Sequence, residues 1–333
     1  MCLKALHLLG RGAQIDKPPT QAASWTSRGA DLVGRAERVL IVKTMTLSIQ
    51  KLRAYVELSK PRIVTLIVVT AAIGYFLGRQ GIDDWWHFCL AMIGTAISCS
   101  GAAALNNYLE RDADILMKRT RRRPIPSGLI SPLEALYFGI ALVVIGTVQL
   151  ALTVNLLTAF LALMTAFLYV LVYTPLKKIT WLNTFVGAIP GALPPLGGWA
   201  AATNELSYGG WVLFLILFLW QHPHFYAIAW MYREDYERGG FKMLPVVEPD
   251  GLSTFRQIIV YSALLIPISL LPTVIGMSGP IYFWGALFLG IMLLLVGAYL
   301  GITRSVTEAR RLLRASVIYL PILLILIVTD KGF

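Results

Sequence analysis

The sequence predicts an all-α membrane protein of about nine transmembrane helices, and three observations carry that prediction. Hydrophobic residues make up 57% of the 333-residue chain against 14% charged, and the mean hydropathy is +0.68, outside the range of soluble domains. Apolar stretches of about 17 to 22 residues recur from Ile63 onward, each long enough to cross a hydrocarbon core of about 30 Å as a helix. Basic side chains gather in alternate connections, the pattern of a chain that crosses repeatedly with its cations kept on one side.

In order, the stretches cover about 63–79, 86–105, 133–152, 155–173, 182–202, 211–231, 257–277, 281–302 and 313–329. The segment before Ile63 is basic. So are the second-to-third connection (Lys118, Arg119, Arg121, Arg122, Arg123), the fourth-to-fifth (Lys177, Lys178), the sixth-to-seventh (Arg233, Arg238, Lys242) and the eighth-to-ninth (Arg304, Arg310, Arg311, Arg314). The others hold Asp83, Asp84 and Glu205 with few cations. This alternation places the N-terminus in the cytoplasm and the C-terminus outside, which an odd number of crossings satisfies. Lys+Arg exceed Asp+Glu by 29 to 18, a net +11, read as a topology signal and not as a nucleic-acid surface. Cys2, Cys89 and Cys99 form no metal or redox spacing, and Cys89 and Cys99 are expected to be buried small apolar residues. Residues 1–54 lack a signal-peptide core and read as a disordered cytoplasmic extension, an organelle transit sequence being the alternative. Residues 55–333 read as one helical domain. The run "GAIPGALPPLGGW" from Gly187 is expected to bend or break its helix several times.

The stretch "LNNYLERDADILMKRTRRRPIP" from Leu105 packs acids and bases together at a membrane-helix end. At about 100° per residue Asn106, Glu110 and Asp114 share one helix face, with Asn107 beside them and Asp112 pointing away. Charge at that depth faces a cavity, a partner or an ion, or else marks a solvated loop end. A second cluster, Glu234, Asp235 and Glu237, follows the sixth stretch on the same side. Hard oxygen donors without Cys or paired His favour Mg²⁺ with a phosphorylated substrate. Lys60, Arg62, Arg111, Lys118, Arg119, Lys177, Lys178 and Lys242, with Tyr173 beside the lysine pair, would then face phosphate oxygens, or, taken singly, serve only as topology signals.

At these residues the chain resembles the intramembrane prenyltransferases of the UbiA superfamily, whose first acidic motif has the form N-D-x-x-D-R-x-x-D. The matching stretch is "NNYLERDAD"; Asn107 and Glu110 replace two of the aspartates, as in the branch that farnesylates haem. "LSKPRIVTLIVVTAAIGYFLG" from Leu58, "DILMKRTRRRPIPSG" from Asp114, "VYTPLKKITWLNTFVGAIPGALPPLGGWAA" from Val172 and "LWQHPHFYAIAWMYREDYERGGFKMLP" from Leu219 extend the resemblance over residues 55–330. It implies nine helices around a central cavity, farnesyl diphosphate as donor, haem b as acceptor and Mg²⁺ as cofactor, in a bacterial plasma membrane or, alternatively, a mitochondrial inner membrane. Asn106, Glu110, Asp114 and Asp235 would hold the metal and diphosphate, with Asn107 ligating directly or through water. A haem A synthase or a terminal oxidase under assembly is the expected recipient of the product.

His222 and His224 in "WQHPHF" lie about 200° apart on a helix and cannot clasp one metal together. Either could meet the haem, His224 being preferred, or each could be a hydrogen-bonded structural histidine. Two other functions stay open on the residues: a quinone-pathway aromatic prenyltransferase sharing the metal site, and a transporter of an anionic lipid or metabolite.

Overall fold

The computed structural model describes residues 48–330. The chain divides into two units, Met1–Lys51 and Leu52–Phe333. Of the first only residues 48–51 are described, and they are helical; most of the expected extension, and Cys2, lie outside the described residues. Helix α1 covers 48–58. It is followed by α2 (Pro61–Arg79), α3 (Trp85–Leu116), α4 (Pro132–Thr153), α5 (Leu156–Phe167), a π-helical turn (Leu168–Tyr173), α6 (Thr174–Ile179), α7 (Asn183–Thr203), α8 (Tyr208–Met231), α9 (Arg233–Arg238), α10 (Leu244–Val247), α11 (Leu252–Val274), α12 (Pro280–Thr303) and α13 (Val306–Thr329).

Taking α5 to α6 as one rod, nine of the described rods are long enough to span a bilayer, and eight are also apolar enough by composition. The ninth, α7, carries no charge, but its Asn, Thr, Gly and Pro content dilutes its hydropathy. The chain is an integral membrane protein. Large apolar side chains such as Leu66, Leu152, Leu156, Phe288 and Ile302 point outward, where hydrocarbon replaces water as their neighbour.

α8, α11, α12 and α13 share the largest core, with Leu213, Ile216, Ile258, Tyr282, Leu293, Leu312 and Leu323 packed together. The other helices approach by small residues, as membrane helices do where apolar burial gives no preference for protein over lipid. A Cβ on Gly101 or Gly146 of α3 and α4 would strike the facing backbone, and one on Gly74 or Gly198 would strike the carbonyl oxygen of Pro195 or Ala71 across the α2–α7 contact.

Three expectations change. α7 is one helix, not a broken one, despite Pro190, Pro194 and Pro195; its glycines bring neighbours close enough to hold it, and the Gln221 amide donates to Ala188 O at 3.1 Å. α3 runs to Leu116, 32 residues, roughly 48 Å at 1.5 Å per residue, so the acidic motif rides a helix that projects past the hydrocarbon. Cys89 is exposed and Cys99 half-buried; both sit on α3, where an outward side chain meets lipid instead of water, so no packing force draws Cys89 inward.

Candidate active site

The end of α3 on the basic side assembles the site. Asn106, Asn107, Glu110 and Asp114 are all buried and Asp112 is exposed, as one helix face turned into the bundle requires. Glu110 accepts from Lys177 Nζ at 2.6 Å. Both Asp114 oxygens accept from Arg123 Nη1, at 2.7 and 2.8 Å, and the same nitrogen lies 3.8 Å from Glu110. Lys60 Nζ donates to Asn106 Oδ1 at 2.7 Å, and Asn106 Nδ2 donates to Thr174 Oγ1 at 3.0 Å. Two carboxylates are thus met by Lys177 and Arg123, and Lys60 is a third basic group, whose protonated form adds a positive balance for an anionic ligand.

Local backbone rules explain who arrives. Lys60 joins α1 to α2 with φ 48°, in the left-handed region, strained for a lysine ahead of proline. Its side chain thereby reaches across to α3. Burial, with Arg123 nearby, pushes its ammonium pKa down to about 7. The π turn ahead of Pro175 lets Thr174 N–H bond back to Tyr169 O, one residue further than an α-helix would. That extra residue re-aims Thr174 and Lys177, a common use of π turns. Gly187 on α7 leaves room for the Tyr173 ring, over which Lys177 Nζ sits at 4.4 Å. Arg123 returns along the 117–130 connection, whose first turn is tied by Thr120 Oγ1 donating to Asp114 O at 3.1 Å.

Asp235 has a different occupation from Glu110 and Asp114. Its oxygens accept from the backbone N–H of Lys118 at 3.1 Å and of Arg119 at 3.3 Å, and from Arg238. Burial raises its carboxyl pKa, but the Arg238 hydrogen bond and the two N–H groups outweigh this and hold it below the usual value. It pins the connection that carries Arg123. Glu234 and Glu237 are exposed.

The other basic positions separate by surroundings. Arg62, Lys118, Lys178 and Lys242 are exposed. Arg119 lies over the Tyr232 and Tyr236 rings. Arg111 covers Tyr108 and donates to its carbonyl. Lys242 contributes its backbone instead, its N–H donating to Lys177 O at 2.7 Å and its carbonyl accepting from Asn183, which fixes the turn bearing Lys177. Arg123, Thr174 and Asn183 thus join the site architecture as residues to which sequence reasoning gave no role in metal or diphosphate binding.

Both histidines are held in one tautomer. His222 Nδ1 lies 2.7 Å from Phe218 O, a group that only accepts, so Nδ1 carries the proton; Nε2 is buried without a partner. His222 also stacks on Tyr261 with centroids 3.6 Å apart. His224 Nδ1 lies 2.9 Å from Ser316 Oγ, whose own proton goes to Leu313 O; Nδ1 again donates and Nε2 keeps its lone pair. His222 is fully buried and His224 half-buried.

Among the described residues no three His, Cys, Asp or Glu side chains converge to cage a metal ion. Mg²⁺ needs no such cage, since it binds through one or two carboxylates, water and substrate phosphate. Glu110 and Asp114 supply that pair, and Asn107 Oδ1, buried with no hydrogen-bond partner, is a further hard oxygen with its valence free. The donor set fits the ion.

Residues 67–320 match the UbiA prenyltransferase family. The chain belongs to that family. Within it the chain is similar to the protoheme IX farnesyltransferases of Solibacter usitatus, 49% identical over 289 residues that cover 84% of this chain and 99% of that protein, and of Salinibacter ruber, 46% over 276 residues covering 83% and 98%. Among solved structures, one concerned with digeranylgeranylglyceryl phosphate synthase has a TM-score of 0.72 at 21% identity, covering 84% of this chain and 98% of that one. A UbiA homolog from Archaeoglobus fulgidus bound to GPP and Mg²⁺ has a TM-score of 0.59 at 18% identity, covering 82% and 99%. These two share the UbiA fold with this chain.

Proposed function

We propose that the chain transfers the farnesyl group of farnesyl diphosphate to a vinyl group of haem b, with addition of water, giving haem O and diphosphate. The observation that carries this reading is the near-complete coverage of the protoheme IX farnesyltransferases at 44–49% identity. The buried acid–base cluster is the machinery such a reaction needs.

Glu110 and Asp114, with Asn106 and Asn107, would hold Mg²⁺, which when bound neutralises charge on the diphosphate as it leaves. Lys177 and Arg123 pair with those carboxylates and stand at the same place. Their ammonium and guanidinium groups would donate to the diphosphate oxygens, where negative charge grows as the allylic C–O bond breaks. Lys60 adds a third donor from the α1–α2 junction. Arg62, Lys118, Lys178 and Lys242, exposed on the same side, draw the anionic donor in, and Arg111 and Arg119 brace the rim on their tyrosines. Asp235 positions the Arg123 connection, and ligates metal only if it gives up its N–H partners. The vinyl carbon attacks the allylic carbon, water adds to the resulting haem-side cation, and the water's proton leaves with the diphosphate. His224, half-buried with its Nε2 lone pair free, is the group offered to the haem iron, and the more enclosed His222 stands behind it. The basic side faces the cytoplasm, with the C-terminus outside.

Offering the purified protein farnesyl diphosphate and Mg²⁺ with haem b and an aromatic acid in one tube tests the acceptor. Farnesyl on haem is the expected product. Farnesyl on the aromatic acid alone would move the chain to the quinone-pathway branch, and uptake without diphosphate release would make it a transporter.

A further inference from the structure

On the basic side, α11 begins and α12 ends, and a groove of about 400 Å³ runs between them. Its walls are Leu252, Ile259 and Val260 from α11 and Ala298, Gly301 and Ile302 from α12. Arg256 and Arg304 also line it, and both are exposed. From Leu252 to Val260 the groove is roughly 12 Å long at 1.5 Å per residue, the depth of a lipid headgroup, its glycerol and the first methylenes.

The polar contacts of the two arginines are few. Arg304 caps α12 in the left-handed region, φ 51°; its Nη1 donates to Asp250 O at 3.3 Å and its guanidinium lies 5.9 Å from the Phe255 ring. Among the described residues neither guanidinium is ion-paired to a carboxylate. Asp250, the adjoining acid, turns its carboxylate to the N–H of Leu252 at 3.2 Å. An apolar trough at the membrane edge, with two cations and no acid partner, is chemically the complement of an anion carrying a hydrocarbon tail.

We propose that this groove binds an anionic glycerophospholipid, its phosphate between Arg256 and Arg304 and an acyl chain along Ile259, Val260, Ala298 and Gly301. The prenyl donor has the same broad chemistry, yet no carboxylate or amide side chain lines the groove to hold a metal on a diphosphate, and its exposed apolar walls open to the bilayer. Gly301 matters because a side chain there would stand in the trough: a Cβ would meet only Ile259 and Phe255, at an ordinary van der Waals distance of 3.6 Å, so a larger residue fits the backbone and takes up groove space.

Native mass spectrometry of the full chain, released from micelles holding equal phosphatidylglycerol and phosphatidylcholine, tests the site. Phosphatidylglycerol should be retained about tenfold or more over phosphatidylcholine, as two guanidiniums near a phosphate imply. Arg256→Gln with Arg304→Gln should abolish that preference. Gly301→Leu, which keeps both cations and fills the trough, should lose retained lipid, and Arg310→Gln on the exposed face of α13 should change nothing. Equal retention of the two lipids by the unaltered protein would overturn the proposal. So would loss of the preference in Arg310→Gln to the same degree as in the groove pair, which would reduce it to diffuse surface charge. Displacement of phosphatidylglycerol by stoichiometric farnesyl diphosphate at this groove would overturn it as well, by making the groove a donor site.

Discussion

Asp114 is fully buried and Arg123 is the cation that keeps it there. Removing one partner of such a pair strands the other, a larger loss than the pair's net worth. Arg123→Gln should therefore cost about 1–3 kcal/mol of stability after allowing for the partial exposure of the arginine, read as a lower thermal midpoint in EDTA. Mg²⁺ should restore most of it, because the ion takes the guanidinium's place. A midpoint that ignores Mg²⁺ would mean the ion does not reach Asp114. Lys60 gives a pH signature in the same metal-free protein. Its folded pKa, about 7, is lower than that of the unfolded lysine, about 10.4, so between those values the unfolded chain binds more protons and stability rises with pH. Below pH 7 both states are protonated and the full cost of the buried charge remains. Thermal midpoints in EDTA should climb from pH 7 to 10 in the unaltered protein and stay flatter in Lys60→Gln. At His224, substitution by alanine should shift the absorption band of bound haem; an unchanged spectrum would leave the histidine as a brace for Ser316.

The elements decide which charged groups meet. A 3.6-residue period was enough to put Asn106, Glu110 and Asp114 on one face and Asp112 on the other, so that part of the site was legible before folding. Arg123 was not, because five cations crowd the 118–123 stretch and nothing in their order says which folds back. The decision rests on tertiary contacts: Asp235 on α9 captures the N–H groups of Lys118 and Arg119, and Thr120 ties the turn to Asp114. The π turn had a signal in Pro175, which lacks an N–H for Leu171 O, but a proline alone does not distinguish a π turn from a kink. Intrinsic propensity alone predicts that α7 bends or breaks at its prolines; the close approach of its neighbours through Gly74 and Gly198 keeps it continuous. Asp235→Ala should lower farnesyl transfer about tenfold or more by loosening Arg123, while the Mg²⁺ concentration for half-maximal rate stays put. A large rise in that concentration would assign Asp235 to the metal. Gly198→Ala should destabilise the α2–α7 contact by about 1–3 kcal/mol, read as a lower midpoint with the Mg²⁺ response unchanged.

For the whole molecule, hydropathy and charge alternation were sufficient to count nine rods, because the bilayer imposes one length and one side preference on every crossing. A reporter placed after Phe333 should be active only outside the cytoplasm; cytoplasmic activity would reverse the orientation. Among the described residues nine rods gather one acidic pair and three basic side chains at one end of α3, and the central claim is that this cluster drives departure of diphosphate. The most direct measurement is single-turnover diphosphate release from farnesyl diphosphate with haem b and Mg²⁺, in the unaltered protein, Glu110→Gln and Asp114→Asn, with haem binding followed by absorbance. Each substitution is expected to slow release at least about a hundredfold while haem still binds. Release at the unaltered rate from either variant would place the chemistry elsewhere in the bundle.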